Sequence, residues 1–167
     1  MSKHRRWWWP TSWAPRISQI SFDELAEGDI RGVIVDLDNT LVGYRKQEPD
    51  AEDAPWIVQA REHGLRVVMV TNNATDWAKD IARKLDIACI ANARKPLPGG
   101  FRRALKQLDL PADNVIVIGD QLFTDVIGAK FAGLPVVLVE PLVLRDPRNT
   151  RWLRRLERWL LHGLPRA

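Results

Sequence analysis

The sequence predicts an α/β fold, a three-layer sandwich with a five-stranded parallel sheet between two layers of helices. Five short apolar runs recur along its 167 residues. Amphipathic stretches of helical length separate them, and strand alternating with helix is the pattern of a parallel sheet covered on both faces. A hydrophobic content of 46% is enough to fill such a core and argues against disorder throughout.

The first run, 33–35, is Val-Ile-Val, continuously apolar as a strand buried on both faces must be. The others are 66–70, 87–91, 115–118 and 136–139. Helices are expected over 50–63, 75–85, 98–108 and 123–132, with Gly64 ending the first and Gly133 the last. Cys89 lies in an apolar run and reads as a core thiol; a lone cysteine makes no internal disulfide, so a reducing cytoplasm is expected.

Charge divides the chain into three parts. Segment 1–16 carries Lys3, Arg5, Arg6 and Arg16 and no acid, and segment 145–167 carries seven Arg against Asp146 and Glu157. With an overall charge of +4, the expected domain at 17–144 is therefore acidic between two basic ends. No apolar stretch approaches the roughly 20 residues needed to span a bilayer. Pro10 and Pro15 break the short apolar run near the start, which makes a cleaved secretory signal a poor fit, while composition leaves an organelle transit peptide open.

In a parallel sheet, functional loops follow the carboxyl ends of the strands. Past Val35 stand Asp36 and Asp38, two carboxylates two residues apart. Buried together they would repel unless a cation neutralised them, and magnesium favours oxygen ligands. Past Val70 stand Thr71, Asn72 and Asn73, which fit either an anion site at a helix start or plain helix capping. Past 91 comes Arg94-Lys95-Pro96, where Lys95 could hold a phosphoryl oxygen or lie in a surface loop. Past Ile118 come Gly119, Asp120 and Asp125, a metal ligand and its support or an acid-capped helix start. Each signal alone has a structural explanation. Their placement at consecutive strand ends of one sheet converges on a single site.

Asp36-Leu37-Asp38-Asn39-Thr40-Leu41 resembles the first motif of the haloacid dehalogenase (HAD) superfamily, whose fold is Rossmann-like. Thr71, Lys95 and Gly119-Asp120 with Asp125 resemble its second, third and fourth motifs. The combined strings are most similar to the YqeG-type phosphatases of subclass IIIA, a group that includes mitochondrial phosphatidylglycerophosphate phosphatases. The resemblance implies that Asp36 is the nucleophile and Asp38 the acid and base. It implies that Mg²⁺ is held by Asp36, Asp120 and the Asp38 backbone carbonyl, with Asp125 in support. It also implies that Thr71, Asn72 with nearby backbone amides, and Lys95 bind the phosphoryl group. Asp38 marks a phosphatase, since dehalogenases of the superfamily lack this carboxylate.

Only 35 positions separate Asp36 from Thr71 and 24 separate Thr71 from Lys95, too few for a cap domain at either place. An open site admits phosphate on a large substrate. Over 151–161 the apolar residues, Trp152 and Trp159 among them, share one helical face, with arginines on the rest. That segment and Trp7, Trp8 and Trp9 beside Arg5 and Arg6 have the chemistry of contact with an anionic membrane. A C-terminal helix packed on the body is the other reading, and no nucleic-acid motif is present. The expectation is a phosphatase peripheral to the membrane and acting on a lipid phosphate such as phosphatidylglycerophosphate. The alternatives are a soluble phosphatase for a small metabolite, or a scaffold without turnover.

Overall fold

The computed structural model describes residues 7–143. The expected amphipathic helix with Trp152 and Trp159 lies outside the described residues, as do Lys3, Arg5 and Arg6.

The described elements run β1 (Ser12–Ala14), α1 (Phe22–Glu27), β2 (Gly32–Val35), α2 (Ala54–Glu62), β3 (Arg66–Val70), α3 (Asp76–Lys84), β4 (Ala88–Ile90), α4 (Gly99–Leu108), β5 (Val115–Gly119), α5 (Ile127–Phe131) and β6 (Val136–Val139). All neighbouring strands pair in parallel, in the order β1-β6-β5-β2-β3-β4. The α/β architecture is as expected, but the sheet has six strands rather than five.

The extra strand comes from the segment read as an N-terminal tail. Ser12, Trp13 and Ala14 pair with Val137, Leu138 and Val139, and the Thr11 N–H donates to the Val136 carbonyl at 2.8 Å. A three-residue strand between Pro10 and Pro15 has too little periodicity to stand out in sequence. It covers what would otherwise be an exposed edge of β6. Arg16, just beyond it, reaches Asp50 and Asp53, and its guanidinium lies 3.0 Å from the Asp53 carboxylate, which is 1% exposed. The segment before residue 17 is thus tied to the start of α2.

Alternate residues of the central strands feed two cores. Val33, Val35, Ile116, Ile118, Val137 and Val139 pack with α2 and α3 residues on one face. Ile34, Val115, Val117, Val136 and Leu138 pack with Phe101, Ala104 and Leu108 of α4 and Ala129 of α5 on the other. Both faces are dry, which is why these strands read as unbroken apolar runs. Gly64 and Gly133 end their helices with φ of +82° and +76°, a left-handed turn that costs glycine nothing.

The chain crosses from one side of β2 to the other, with β3 on one flank and β5 on the opposite one. This reversal opens a crevice at the carboxyl ends of the central strands. Between β2 and β3 lie only a loop and α2, and between β3 and β4 only α3. Among the described residues no cap domain covers the crevice. Among the described residues no helix is long and apolar enough to cross a membrane.

Candidate active site

Asp36 directly follows β2, and its backbone N–H donates to the Ile118 carbonyl at 2.9 Å, continuing the sheet ladder. The side chain therefore leaves a rigid strand end beside the loop that follows β5. Asp120 begins that loop. Thr40, fully buried, sets its hydroxyl 3.1 Å from both an Asp36 and an Asp120 oxygen. One hydroxyl proton serves one carboxylate at a time, so the second oxygen is left facing an anion.

Asp125 enters from a π-helical turn, Leu122–Val126, that leads into α5. The Gln121 N–H donates to Asp125 Oδ2 at 3.1 Å and fixes the carboxylate inward. It lies so close to Gly119 that a Cβ there would stand 2.5 Å from Asp125 Cγ. Glycine is required at 119 by this approach, not by an unusual φ. One oxygen each of Asp36, Asp120 and Asp125 lies within 4.8 Å of the others, and all three residues are buried.

Lys95 arrives from the β4–α4 loop. It is 7% exposed, and its ammonium donates to Asp36 and, at 2.6 Å, to Asp125. Burial alone would lower the lysine pKa, but Asp125 and Asp36 reverse this and hold it above its ordinary value. Burial pushes the Asp36 carboxyl well above the usual carboxylate range. Lys95 opposes that rise, and the charges of Asp125 and Asp120 add to it. Three carboxylates gather with one ammonium in a buried site. A divalent cation would offset the repulsion among the carboxylates, and an all-carboxylate donor set suits a hard ion.

Asp38 stands apart from this cluster. It is exposed, and the Thr71 hydroxyl donates to its Oδ2 at 3.1 Å. Thr71 is wholly buried, with its hydroxyl also accepting from the Asn73 N–H at 3.0 Å. The sequence expectation gave the metal the Asp36 and Asp120 carboxylates and the Asp38 backbone carbonyl, with Asp125 in support. The carboxylates that meet are those of Asp36, Asp120 and Asp125.

The Asn72 side chain is engaged with the Lys95 backbone. Its amide donates to the Lys95 carbonyl at 3.0 Å and accepts from the Lys95 N–H at 2.6 Å. Both ends of the side chain are used to hold the loop that delivers Lys95. Asn39, given no role from sequence, makes a matching clamp with φ of +66°. Its amide donates to the Val143 carbonyl at 2.8 Å and accepts from the Val143 N–H at 2.9 Å. This ties the loop after β2 to the chain leaving β6.

The aromatic cluster lies elsewhere. Trp7 is 61% exposed and stacks on Phe131 with ring centroids 5.5 Å apart, while Trp8 and Trp9 are half-buried. Trp8 packs on the core beneath α4 and α5. These residues precede β1, and Phe131 precedes β6, so the patch flanks the amino-terminal edge of the sheet. The carboxylate cluster occupies the opposite edge.

A family model for haloacid dehalogenase-like hydrolases matches residues 49–133. The chain is also 35% identical, over 97% of its length and 94% of the other protein's, to probable phosphatase YqeG of Bacillus subtilis. The chain belongs to the HAD hydrolase family. It is similar as well to glyceraldehyde 3-phosphate phosphatase of Pyrococcus abyssi, 30% identical over 59% of this chain. Similarity to the chloroplastic and mitochondrial phosphatidylglycerophosphate phosphatase 1 of Arabidopsis thaliana is 27% over 87% of this chain. The chain spans 44% and 46% of the length of these last two proteins. As a HAD hydrolase it carries the family's buried aspartate cluster intact.

Proposed function

We propose that the chain is a Mg²⁺-dependent phosphomonoester hydrolase acting through an aspartyl-phosphate on Asp36. The observation that carries this reading is the buried meeting of Asp36, Asp120, Asp125 and Lys95 at one edge of the sheet. Magnesium held by Asp36 and Asp120, with Asp125 beside them, would supply charge neutralisation between the nucleophile and the phosphoryl oxygens. Asp36 attacks phosphorus, and the bond to the leaving oxygen breaks as Asp38 gives that oxygen a proton. Asp38 then takes a proton from water, which attacks phosphorus and releases Asp36. Exposure suits Asp38 to exchange protons with solvent, and the Thr71 hydroxyl holds it in direction. Lys95 steadies the phosphoryl group, Thr71 holds Asp38, and Asn72 keeps Lys95 in place.

For the substrate, a small phosphorylated metabolite is the reading we favour. The Pyrococcus relative is named for such a substrate. The aromatic patch with Trp7 faces away from the catalytic edge, so a membrane seated there would not present its headgroups to Asp36. Lipid phosphate, phosphatidylglycerophosphate above all, is the second reading. It is favoured by the long stretch shared with the Arabidopsis phosphatase, and it would place the protein at a membrane surface in the cytoplasm. Hydrolysis of p-nitrophenyl phosphate with Mg²⁺ should be lost with EDTA and in Asp36→Asn. Activity that survives either change would contradict the mechanism. A parallel screen of soluble sugar phosphates and of phosphatidylglycerophosphate in mixed micelles separates the two substrates.

A further inference from the structure

Asn39 stands between two residues of the site. On one side is Asp38, the proposed acid and base. On the other is Thr40, whose hydroxyl meets both Asp36 and Asp120. The side-chain hydrogen bonds of Asn39 go instead to the Val143 backbone, across 104 positions of the chain. The turn around Asn39 is closed from several directions. Its N–H donates to the Val42 carbonyl at 2.7 Å, and the Leu41 and Val42 N–H groups both donate to the Leu37 carbonyl at 3.0 Å. From outside, the Leu142 N–H donates to the Asn39 carbonyl at 2.9 Å. A Cβ at Gly43 would stand 3.0 Å from Val143 Cγ2, so the chain leaving β6 lies hard against the turn.

Asp38 is held far less firmly. It is exposed, and its side chain has one hydrogen bond among the described residues, from the Thr71 hydroxyl at 3.1 Å. A general acid must stand within hydrogen-bond reach of the oxygen it protonates, and a small displacement costs much of the rate. The direction of the Asp38 side chain is thus set mainly by the backbone that carries it, and that backbone is pinned one residue on. Asn39 has φ of +66°, in the left-handed region that glycine adopts most easily and asparagine tolerates. Glycine would meet the backbone requirement with less strain. It would have no amide to reach Val143.

We propose that Asn39 is a positioning residue. Through its two bonds to Val143 it holds the Asp38 carboxyl where a proton passes to the leaving oxygen as the bond from that oxygen to phosphorus breaks. The inference rests on the phosphatase reading for its kinetic consequence, and on the geometry of the turn for its structural one. It assigns the chain just past β6 a part in catalysis, although its backbone reaches the site only through the Asn39 amide.

The test uses the full chain and two variants that open the clamp from opposite ends. Asn39→Gly keeps the left-handed backbone accessible and removes the amide. Val143→Pro removes the Val143 N–H and leaves the turn's own residues unchanged. Steady-state kinetics with Mg²⁺ compare propyl phosphate, whose leaving oxygen must be protonated, with p-nitrophenyl phosphate, whose leaving group needs no proton. Each variant should lower kcat/KM for propyl phosphate about 10-fold more than for p-nitrophenyl phosphate, a part of what a general acid contributes. The double variant should fall within about twofold of Asn39→Gly, because both changes break one interaction. Equal losses on the two esters, or losses that simply add, would overturn the proposal. Crystal structures of wild type and Asn39→Gly give a readout free of turnover: the contact between Asp38 and the Thr71 hydroxyl should open in the variant. If wild type hydrolyses neither ester and that contact still opens, the phosphatase reading fails and the positioning of Asp38 by Asn39 stands. A contact unchanged in Asn39→Gly would overturn it.

Discussion

At the scale of single residues, Asp36, the proposed nucleophile, carries a cost. Its raised pKa arises first from burial, with Asp125 and Asp120 adding to it and Lys95 opposing. A carboxyl that holds its proton more tightly folded than unfolded makes the metal-free fold lose stability as pH rises from the unfolded value toward the raised one. A divalent ion bound at the carboxylates should recover that loss. The rise in melting temperature on adding Mg²⁺ is therefore expected to be larger at pH 8 than at pH 5, where protons compete for Asp36. Differential scanning fluorimetry at both values checks this, and an increment independent of pH would contradict it. The meeting of Asp36, Lys95, Asp120 and Asp125 was legible in sequence because strand ends fix where such residues gather. The direction of the Asn72 side chain was not legible, and Asn39 was passed over, because an amide beside a strand end can turn toward substrate or toward backbone. Only the hydrogen bonds to Lys95 and Val143 show which.

At the scale of elements, the strands β3 and β6 fall where their apolar runs place them, and α2 to α4 begin and end within a few residues of expectation. These runs are long or strongly patterned. β1 and α1 were not legible, being three and six residues long and held mainly by partners far along the chain. Arg16 with Asp50 and Asp53 is one such tie, spanning more than thirty positions. The region expected as one helix over 123–132 divides into the π-helical turn and α5. That division aims Asp125 at Lys95, and Gly119 makes room for it. Gly119→Ala should push Asp125 out of place, lowering stability by about 1–3 kcal/mol, the cost of overpacking. Chemical denaturation checks the stability, and isothermal titration with Mg²⁺ should show weaker binding.

At the scale of the whole molecule, the sheet separates two surfaces. The carboxyl edge gathers the aspartates and Lys95. The amino edge presents Trp7 against Phe131. Groups this far apart with no shared partners act independently. Trp7→Ser with Phe131→Ser should leave kcat/KM for a soluble phosphomonoester within about twofold, measured by steady-state kinetics with Mg²⁺. A large loss would tie the aromatic patch to the catalytic edge.

The central claim is that phosphate passes through Asp36. In the proposed mechanism Asp38 activates water, so in Asp38→Ala the phosphorylated form should outlast its formation from p-nitrophenyl phosphate, whose leaving group needs no proton. Acid-quenched mass spectrometry of Asp38→Ala mixed with Mg²⁺ and a phosphomonoester tests the claim most directly. The result expected is a phosphoryl group on the peptide carrying Asp36, absent when EDTA is present and absent in Asp36→Asn. Phosphorylation at a different residue, or burst release of the leaving group with Asp36 unmodified, would contradict it.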